Sequence, residues 1–210
     1  MTNADVFKEA FSALPLVAIL RGLTPQEAPA ILEVLLKAGF TLIEVPLNSP
    51  DPFDSIATMA RLCPPDAMVG AGTVLDPDDV TRLKEAGGRF VVTPNTDPAV
   101  IKASVAADLP ALIGCMTPTE ALAAARHGAT ALKIFPASRL GAGYIKDVKA
   151  VLPPDLPVLG VGGIGPAAFA DFIANGCAGF GIGSDLWKPG RPVKEVEKAA
   201  HDLVAAWRAL

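Results

Sequence analysis

Histidine is scarce: the chain has two, His127 and His201. His127 precedes Gly128 at an expected helix end, where a ring N–H meets free carbonyls. His201 falls in the C-terminal helical stretch. Neither closes an apolar run, so no histidine–carboxylate cluster is placed to hold a catalytic zinc, and no metal or other cofactor is expected. The three cysteines, Cys63, Cys115 and Cys177, are widely separated, odd in number and form no CxxC pair. They read as small core residues of a reducing compartment. Positive charge is not in excess either. A net charge of −4 gives no electrostatic ground for a nucleic-acid or anionic-membrane partner. Long hydrophobic runs are missing too. The longest weakly charged stretch, Leu156 to Ala170, is broken by glycine and proline and makes a poor membrane span. The opening MTNADVFKEAF lacks the basic start and apolar core of a signal peptide. A cytoplasmic protein is expected. With no linker or low-complexity segment, residues 1–210 are expected to form one domain.

What the chain does have is alternation. Short apolar runs recur: LVAIL from Leu16, LIEVP from Leu42, MVGAGTV from Met68 and FVVTPN from Phe90. They continue with ALIGCM from Ala111, ALKIFP from Ala131, VLGVGGI from Val158 and GFGIGSDL from Gly179. Each carries apolar residues on both faces, as buried parallel strands do. Between them lie helical stretches with start signals. Thr24 with Glu27 and Pro25, Asp76 with Pro77, and Thr117 with Pro118 and Glu120 are cap patterns. Gly39, Gly87, Gly128 and Gly176 mark helix ends. Eight strand–helix units in series predict a (β/α)8 TIM barrel, with the residues before Leu16 as an extra helix that plugs its bottom. An open doubly wound sheet is the lesser alternative, because RGLTPQE after the first strand lacks the dinucleotide fingerprint G-x-G-x-x-G.

In a barrel, functional groups gather at the C-terminal strand ends. Those ends carry Arg21, Glu44, Thr73, Thr93 with Asn95, Lys133, Val161 with Gly162 and Gly163, and Gly183 with Ser184. Lys133 stands out as a cation inside an apolar strand. Burial favours its neutral, nucleophilic form. At the free pKa of about 10.4 some 0.04 % of a lysine is neutral at pH 7, and a drop to about 8 makes that about 10 %. A plainer reading lets the ammonium reach water while its stem packs. Glu44 can serve as proton donor and acceptor to an imine chemistry at Lys133, or simply pair with it. Arg21 offers a fork of donors for a carboxylate or phosphate, and it equally fits a solvated loop. The two glycine loops after the last two strands match a barrel phosphate cradle, completed by a short helix starting near Ser184, though glycine also serves tight turns.

Taken together, AILRG, IEVPLNSP, GAGTVL, VTPN, LKIFP, VGGI and GIGSDL, in that order over nearly the whole chain, resemble the bacterial 2-keto-3-deoxy-6-phosphogluconate and phosphogalactonate aldolases. These are class I lyases on a (β/α)8 barrel. The resemblance implies that Lys133 forms a Schiff base with the substrate ketone and that Glu44 is the general acid/base. It implies that Arg21 and Thr73 hold the substrate, and that Gly162, Gly163, Gly183 and Ser184 hold the 6-phosphate. It also implies a cytoplasmic homotrimer.

Two positions depart from the phosphogluconate pattern. Asn48 stands where an arginine is usual, in a sequence like VTLRT, and Val161 stands where a threonine is usual. Both fit the phosphogalactonate branch, whose substrate 2-dehydro-3-deoxy-6-phosphogalactonate would yield pyruvate and glyceraldehyde 3-phosphate. The two substrates are epimers at C4. A threonine hydroxyl can bond the C4 hydroxyl in one configuration, whereas burying an unpaired hydroxyl against valine costs about 1–3 kcal/mol. The phosphogluconate epimer or 4-hydroxy-2-oxoglutarate is the alternative substrate. A phosphosugar isomerase or epimerase, or an idle phosphosugar-binding barrel, would use the cradle without an imine.

Overall fold

A computed structural model describes residues 2–210. Eight strands lie within the eight apolar runs: β1 (Leu16–Ile19), β2 (Leu42–Pro46), β3 (Met68–Gly72), β4 (Val91–Val92), β5 (Ala111–Cys115), β6 (Ala131–Ile134), β7 (Val158–Val161) and β8 (Gly179–Ile182). They pair in chain order, and β8 closes on β1 with Val17 opposite Gly181. All pairings are parallel, so the (β/α)8 barrel is the fold. The helices are α1 (Asn3–Ala13), α2 (Ala28–Ala38), α3 (Pro52–Leu62), α4 (Pro77–Glu85), α5 (Pro98–Ala106), α6 (Pro118–His127), α7 (Ala137–Leu140), α8 (Ala142–Lys149), α9 (Pro166–Ala174) and α10 (Val193–Arg208).

Helices α3, α4, α5, α6 and α9 each begin on a proline. There its missing N–H removes no ladder bond, so a proline-rich chain remains helical. Asp76 accepts from the Asp78 N–H ahead of α4, and Thr117 with Glu120 closes a full capping box on α6. The Thr24 signal acts differently. Glu27 Oε2 does accept from the Thr24 N–H at 3.0 Å, but regular helix starts only at Ala28. Pro29 has no N–H to return to Pro25, so residues 25–27 stay a turn.

Alternating strand residues build two cores. The outer one packs Ala18, Ile43, Val69, Ile113, Leu132 and Val158, among others, under the helices. The inner one fills the barrel with Val17, Leu42, Met68, Phe90, Leu112 and Leu159. Helix α1 closes the bottom, as expected. Its Val6, Phe7 and Ala10 join the inner core, and Phe7 lies 6.4 Å from the Phe90 ring. Asn3 ties α1 to the barrel floor, donating to the Asp108 carbonyl and accepting from Arg89. The three cysteines are free, and burial pushes the thiols of Cys63 and Cys115 up to about 11 and about 12. Cys115 and Cys177 are buried and Cys63 is half-buried against the outer core, surroundings that disfavour the reactive thiolate at neutral pH.

The plug is a packing element, so Phe7→Ala should destabilise the fold by about 3–5 kcal/mol. Urea unfolding measures it, and a loss under about 1 kcal/mol would mean that α1 merely lies on the surface.

Candidate active site

The mouth at the C-terminal strand ends holds a cavity of ≈350 Å³. Its floor is the top layer of inward side chains: Ile19, Glu44, Lys133 and Val161, with Gly181 between them. In-register pairing sets the layer. Glu44 lies opposite Ile19 across β1 and β2, and Val161 opposite Gly181 across β7 and β8. A side chain at Gly181 would press on Val161 Cγ2 at 2.8 Å and on Ile19 Cδ1 at 3.1 Å. The bare strand there lets those two residues pack. Gly72 acts likewise on the far side, since a Cβ there would overlap the Glu44 carboxylate. Glu44 therefore leans against β3 backbone.

Glu44 and Lys133 are 2 % and 6 % exposed. Beneath them lies a void of ≈10 Å³, which they share with Val17, Val92, Leu112 and Leu159. These are apolar walls, and they desolvate both ions. Burial drives Glu44 above the usual carboxylate range, against the pull of Lys133 and Arg21. Burial drives Lys133 below the usual amine range, against the pull of Glu44 and helped by Arg21. The two do not form an ion pair. Among the described residues the three ion pairs are local helix-surface contacts, and no Glu44 oxygen lies within 4.0 Å of Lys133 Nζ. The pairing alternative read from sequence therefore fails in this geometry, and a gap opens between nucleophile and acid. Lys133 Nζ instead sits 5.3 Å from the Phe135 ring centre. The ring face gives its charged form some support.

Arg21 lines the same mouth. Its Nη1 donates to Asn48 Oδ1 at 2.6 Å, and its carbonyl accepts from Trp187 Nε1 at 3.1 Å. Ser49 Oγ accepts from the Gly22 N–H at 2.8 Å. The β2 loop thus orients the β1 loop, and Asn48 is a positioning group as well as a departure from a pattern. Gly162 and Gly163 line the opposite side at φ +96° and +71°. A Cβ at Gly162 would meet the Phe135 ring at 3.1 Å, so backbone conformation and space both demand glycine. Gly183 and Ser184 complete that side.

Thr73 is not among the residues that line this cavity. It is half-buried beyond the end of β3 at φ +55°, a left-handed backbone that is rare for a β-branched residue. That twist breaks the in–out alternation of the strand. The short helix near Ser184 is a single turn, with the Leu186 and Trp187 N–H groups both donating to the Gly183 carbonyl. Pro189 has no N–H to extend it, and the Asp185 carbonyl accepts from Arg191 Nη1 instead. Sequence reasoning also passed over Phe135, Asp185, Trp187, Lys188 and Pro189, all cavity-lining. The available signal was position, since each follows a predicted strand end by a few residues. Thr93 and Asn95 serve the scaffold: Thr93 Oγ1 donates to the Asn95 carbonyl and accepts from the Gly114 N–H. Among the described residues no group of three or more His, Cys, Asp or Glu side chains is placed to hold a metal ion.

A buried amine facing a buried carboxylate across a gap, beside a glycine cradle, suits imine chemistry on a small phosphorylated ketone. The family model for KDPG and KHG aldolase matches residues 7–200. The chain belongs to the KDPG and KHG aldolase family. Every cavity residue falls inside the matched span of this aldolase family. The chain is 49 % identical over 93 % of its length, and 92 % of the relative's, to a Rhizobium meliloti (strain 1021) protein named "Probable 2-dehydro-3-deoxy-6-phosphogalactonate aldolase". It is 46 % identical to the 2-dehydro-3-deoxy-6-phosphogalactonate aldolase of Escherichia coli (strain K12), over 93 % of this chain and 95 % of the other. A solved native KDPGal structure superimposes with a TM-score of 0.91 at 46 % identity, covering 93 % of this chain and 95 % of that one.

Lys133 is the main opposing charge on Glu44, so Lys133→Met should raise the Glu44 pKa further. An acid with a raised folded pKa contributes fully to stability below its unfolded value, ordinarily 4.5, and that contribution is lost as pH climbs through the folded pKa. Lys133→Met should therefore lose stability relative to Lys133→Met/Glu44→Gln as pH rises above the ordinary 4.5 of a glutamate. A pH-independent difference in urea unfolding would show that burial does not raise the Glu44 pKa.

Proposed function

We propose that the protein is a class I aldolase cleaving 2-dehydro-3-deoxy-6-phosphogalactonate to pyruvate and D-glyceraldehyde 3-phosphate. The observation that carries this is the buried, unpaired Lys133–Glu44 couple in the mouth that also holds the glycine cradle. Neutral Lys133 attacks the C2 ketone to give a carbinolamine. Protonated Glu44 delivers its proton to the departing hydroxyl, water leaves, and an iminium remains. The Glu44 carboxylate then takes the proton of the C4 hydroxyl. The C3–C4 bond breaks, its electrons pass into the iminium, glyceraldehyde 3-phosphate departs, and a pyruvate enamine stays on Lys133. Glu44 returns its proton to C3, and water hydrolyses the iminium to free pyruvate and Lys133.

The couple's charged atoms lie more than 4.0 Å apart, and C2 is read as entering between them. Gly162, Gly163, Gly183 and Ser184 are read as holding the phosphate, with Arg21 on the substrate's carboxylate. Substrate choice within the family rests on Val161, which is 6 % exposed and lies between the imine floor and the cradle. It presents no hydroxyl to C4. The names carried by the two relatives agree with that choice. The assembly is read from the family resemblance as a cytoplasmic homotrimer. Among the described residues no helix is long and apolar enough to cross a membrane.

Borohydride with pyruvate, read by intact mass, tests the imine. Wild type should gain one reduced pyruvyl adduct, and Lys133→Ala none. Turnover without any adduct would indicate an isomerase or other non-imine chemistry, and an adduct persisting in Lys133→Ala would move the nucleophile elsewhere. Glu44→Gln should lower cleavage by about 10²–10⁴ while substrate still binds; near-normal turnover removes its proton-shuttle role. Val161→Thr should shift the kcat/KM ratio toward the phosphogluconate epimer, about tenfold for each 1.4 kcal/mol gained. An unchanged ratio would shift C4 discrimination to Asn48 and its loop.

A further inference from the structure

We propose that Lys188 is the cation that receives the substrate's phosphate; this rests on the aldolase reading above. Among the described residues five ionisable side chains line the cavity: Arg21, Glu44, Lys133, Asp185 and Lys188. The substrate brings two anions, a carboxylate on C1 and a phosphate on C6. Lys133 is committed to C2. Arg21 is tied to the β2 side by its 2.6 Å bond to Asn48, and its charge is felt by both Glu44 and Lys133. It belongs to the imine end, next to C1.

At the cradle end, the side-chain charges are Asp185 and Lys188. Without Lys188 a phosphate dianion would meet a carboxylate and neutral backbone. On the Gly183–Ser184 loop no following helix dipole offsets this, because the chain after Gly183 makes one turn and stops. A side-chain cation supplies what that helix would have contributed.

The placement of Lys188 is fixed by its neighbours. Trp187 is 3 % exposed. It donates its indole N–H to the Arg21 carbonyl and its backbone N–H to the Gly183 carbonyl. On the other side Pro189 packs against Gly22, where a Cβ would lie 2.7 Å from Pro189 Cγ. Lys188 thus rides on the turn that presents Gly183 and Ser184, between two pinned residues. Its ammonium takes part in none of the three ion pairs, so it is free to meet an incoming anion.

The experiment compares wild type, Lys188→Met and Lys188→Arg. Lys188→Met should raise KM for the phosphorylated substrate about 10- to 100-fold, the range of one charge-assisted hydrogen bond, with kcat changed far less. Its preference for the phosphorylated over the unphosphorylated keto-deoxy acid, as a kcat/KM ratio, should fall by the same factor. Lys188→Arg should recover most of the loss. An unchanged KM in Lys188→Met overturns the proposal. So does an equal loss on both substrates, which would mark a merely structural residue. Glyceraldehyde 3-phosphate titrated against each protein gives a second reading of Lys188 that needs no turnover. If wild type gains no pyruvyl adduct the aldolase reading fails by itself, and the weaker or equal binding of glyceraldehyde 3-phosphate to Lys188→Met still decides for or against Lys188.

Discussion

The site depends on keeping an amine and a carboxylate out of water and out of contact with each other. Either group alone in an apolar barrel would be driven to its neutral form. Direct contact would lock them as an ion pair, with the lysine charged and unreactive. The structure holds the intermediate arrangement: both side chains buried, separated, and close enough for each charge to moderate the other. Desolvation favours the neutral form of each group, and the residual attraction between their charges opposes it.

That arrangement is expensive, and the rest of the barrel offsets it. The inner core is apolar below the site and is sealed by α1, so water reaches the couple only from the mouth. The outer core buries the opposite face of each strand beneath the helices. Small and large inward residues are matched across strands. Gly72 receives Glu44, and Gly181 makes room for Val161 and Ile19. The carboxylate is held by shape rather than by a hydrogen bond to a fixed partner, which leaves its oxygens for a substrate.

The mouth divides into two ends joined by cross-loop bonds. The end proposed for the imine comprises Glu44, Lys133 and Arg21, with Asn48 orienting the guanidinium. The cradle end comprises the glycine loops and the turn that carries Ser184 to Lys188. Trp187 and Pro189 fasten that turn to the Arg21–Gly22 loop. Both ends are therefore linked by direct contacts, which suits a substrate whose ketone and phosphate are to be gripped at a constant separation.

The eight strands, the helix starts and the plug were legible in the sequence because they follow from local periodicity and cap chemistry, which need no partner beyond a few residues. Lys133 was legible for the same reason: a lysine flanked by Leu132, Ile134 and Phe135 is anomalous wherever the strand ends up. Other features depended on contacts between distant segments. Closure alone placed Glu44 across a gap from Lys133 rather than in a salt bridge, because the separation is set by barrel width and by the room at Gly72. The missing N–H groups of Pro29 and Pro189 shortened two expected helical starts, an effect visible only once the hydrogen bonds were traced. The left-handed backbone at Thr73, beyond the end of β3, is one that no propensity foretells. Lys188 reached the cavity lining because the Trp187 indole N–H meets a carbonyl 166 positions away in the chain. Sequence patterning determined which residues face inward; tertiary closure decided which inward residues meet, because register and loop packing are set by pairings that no local segment contains.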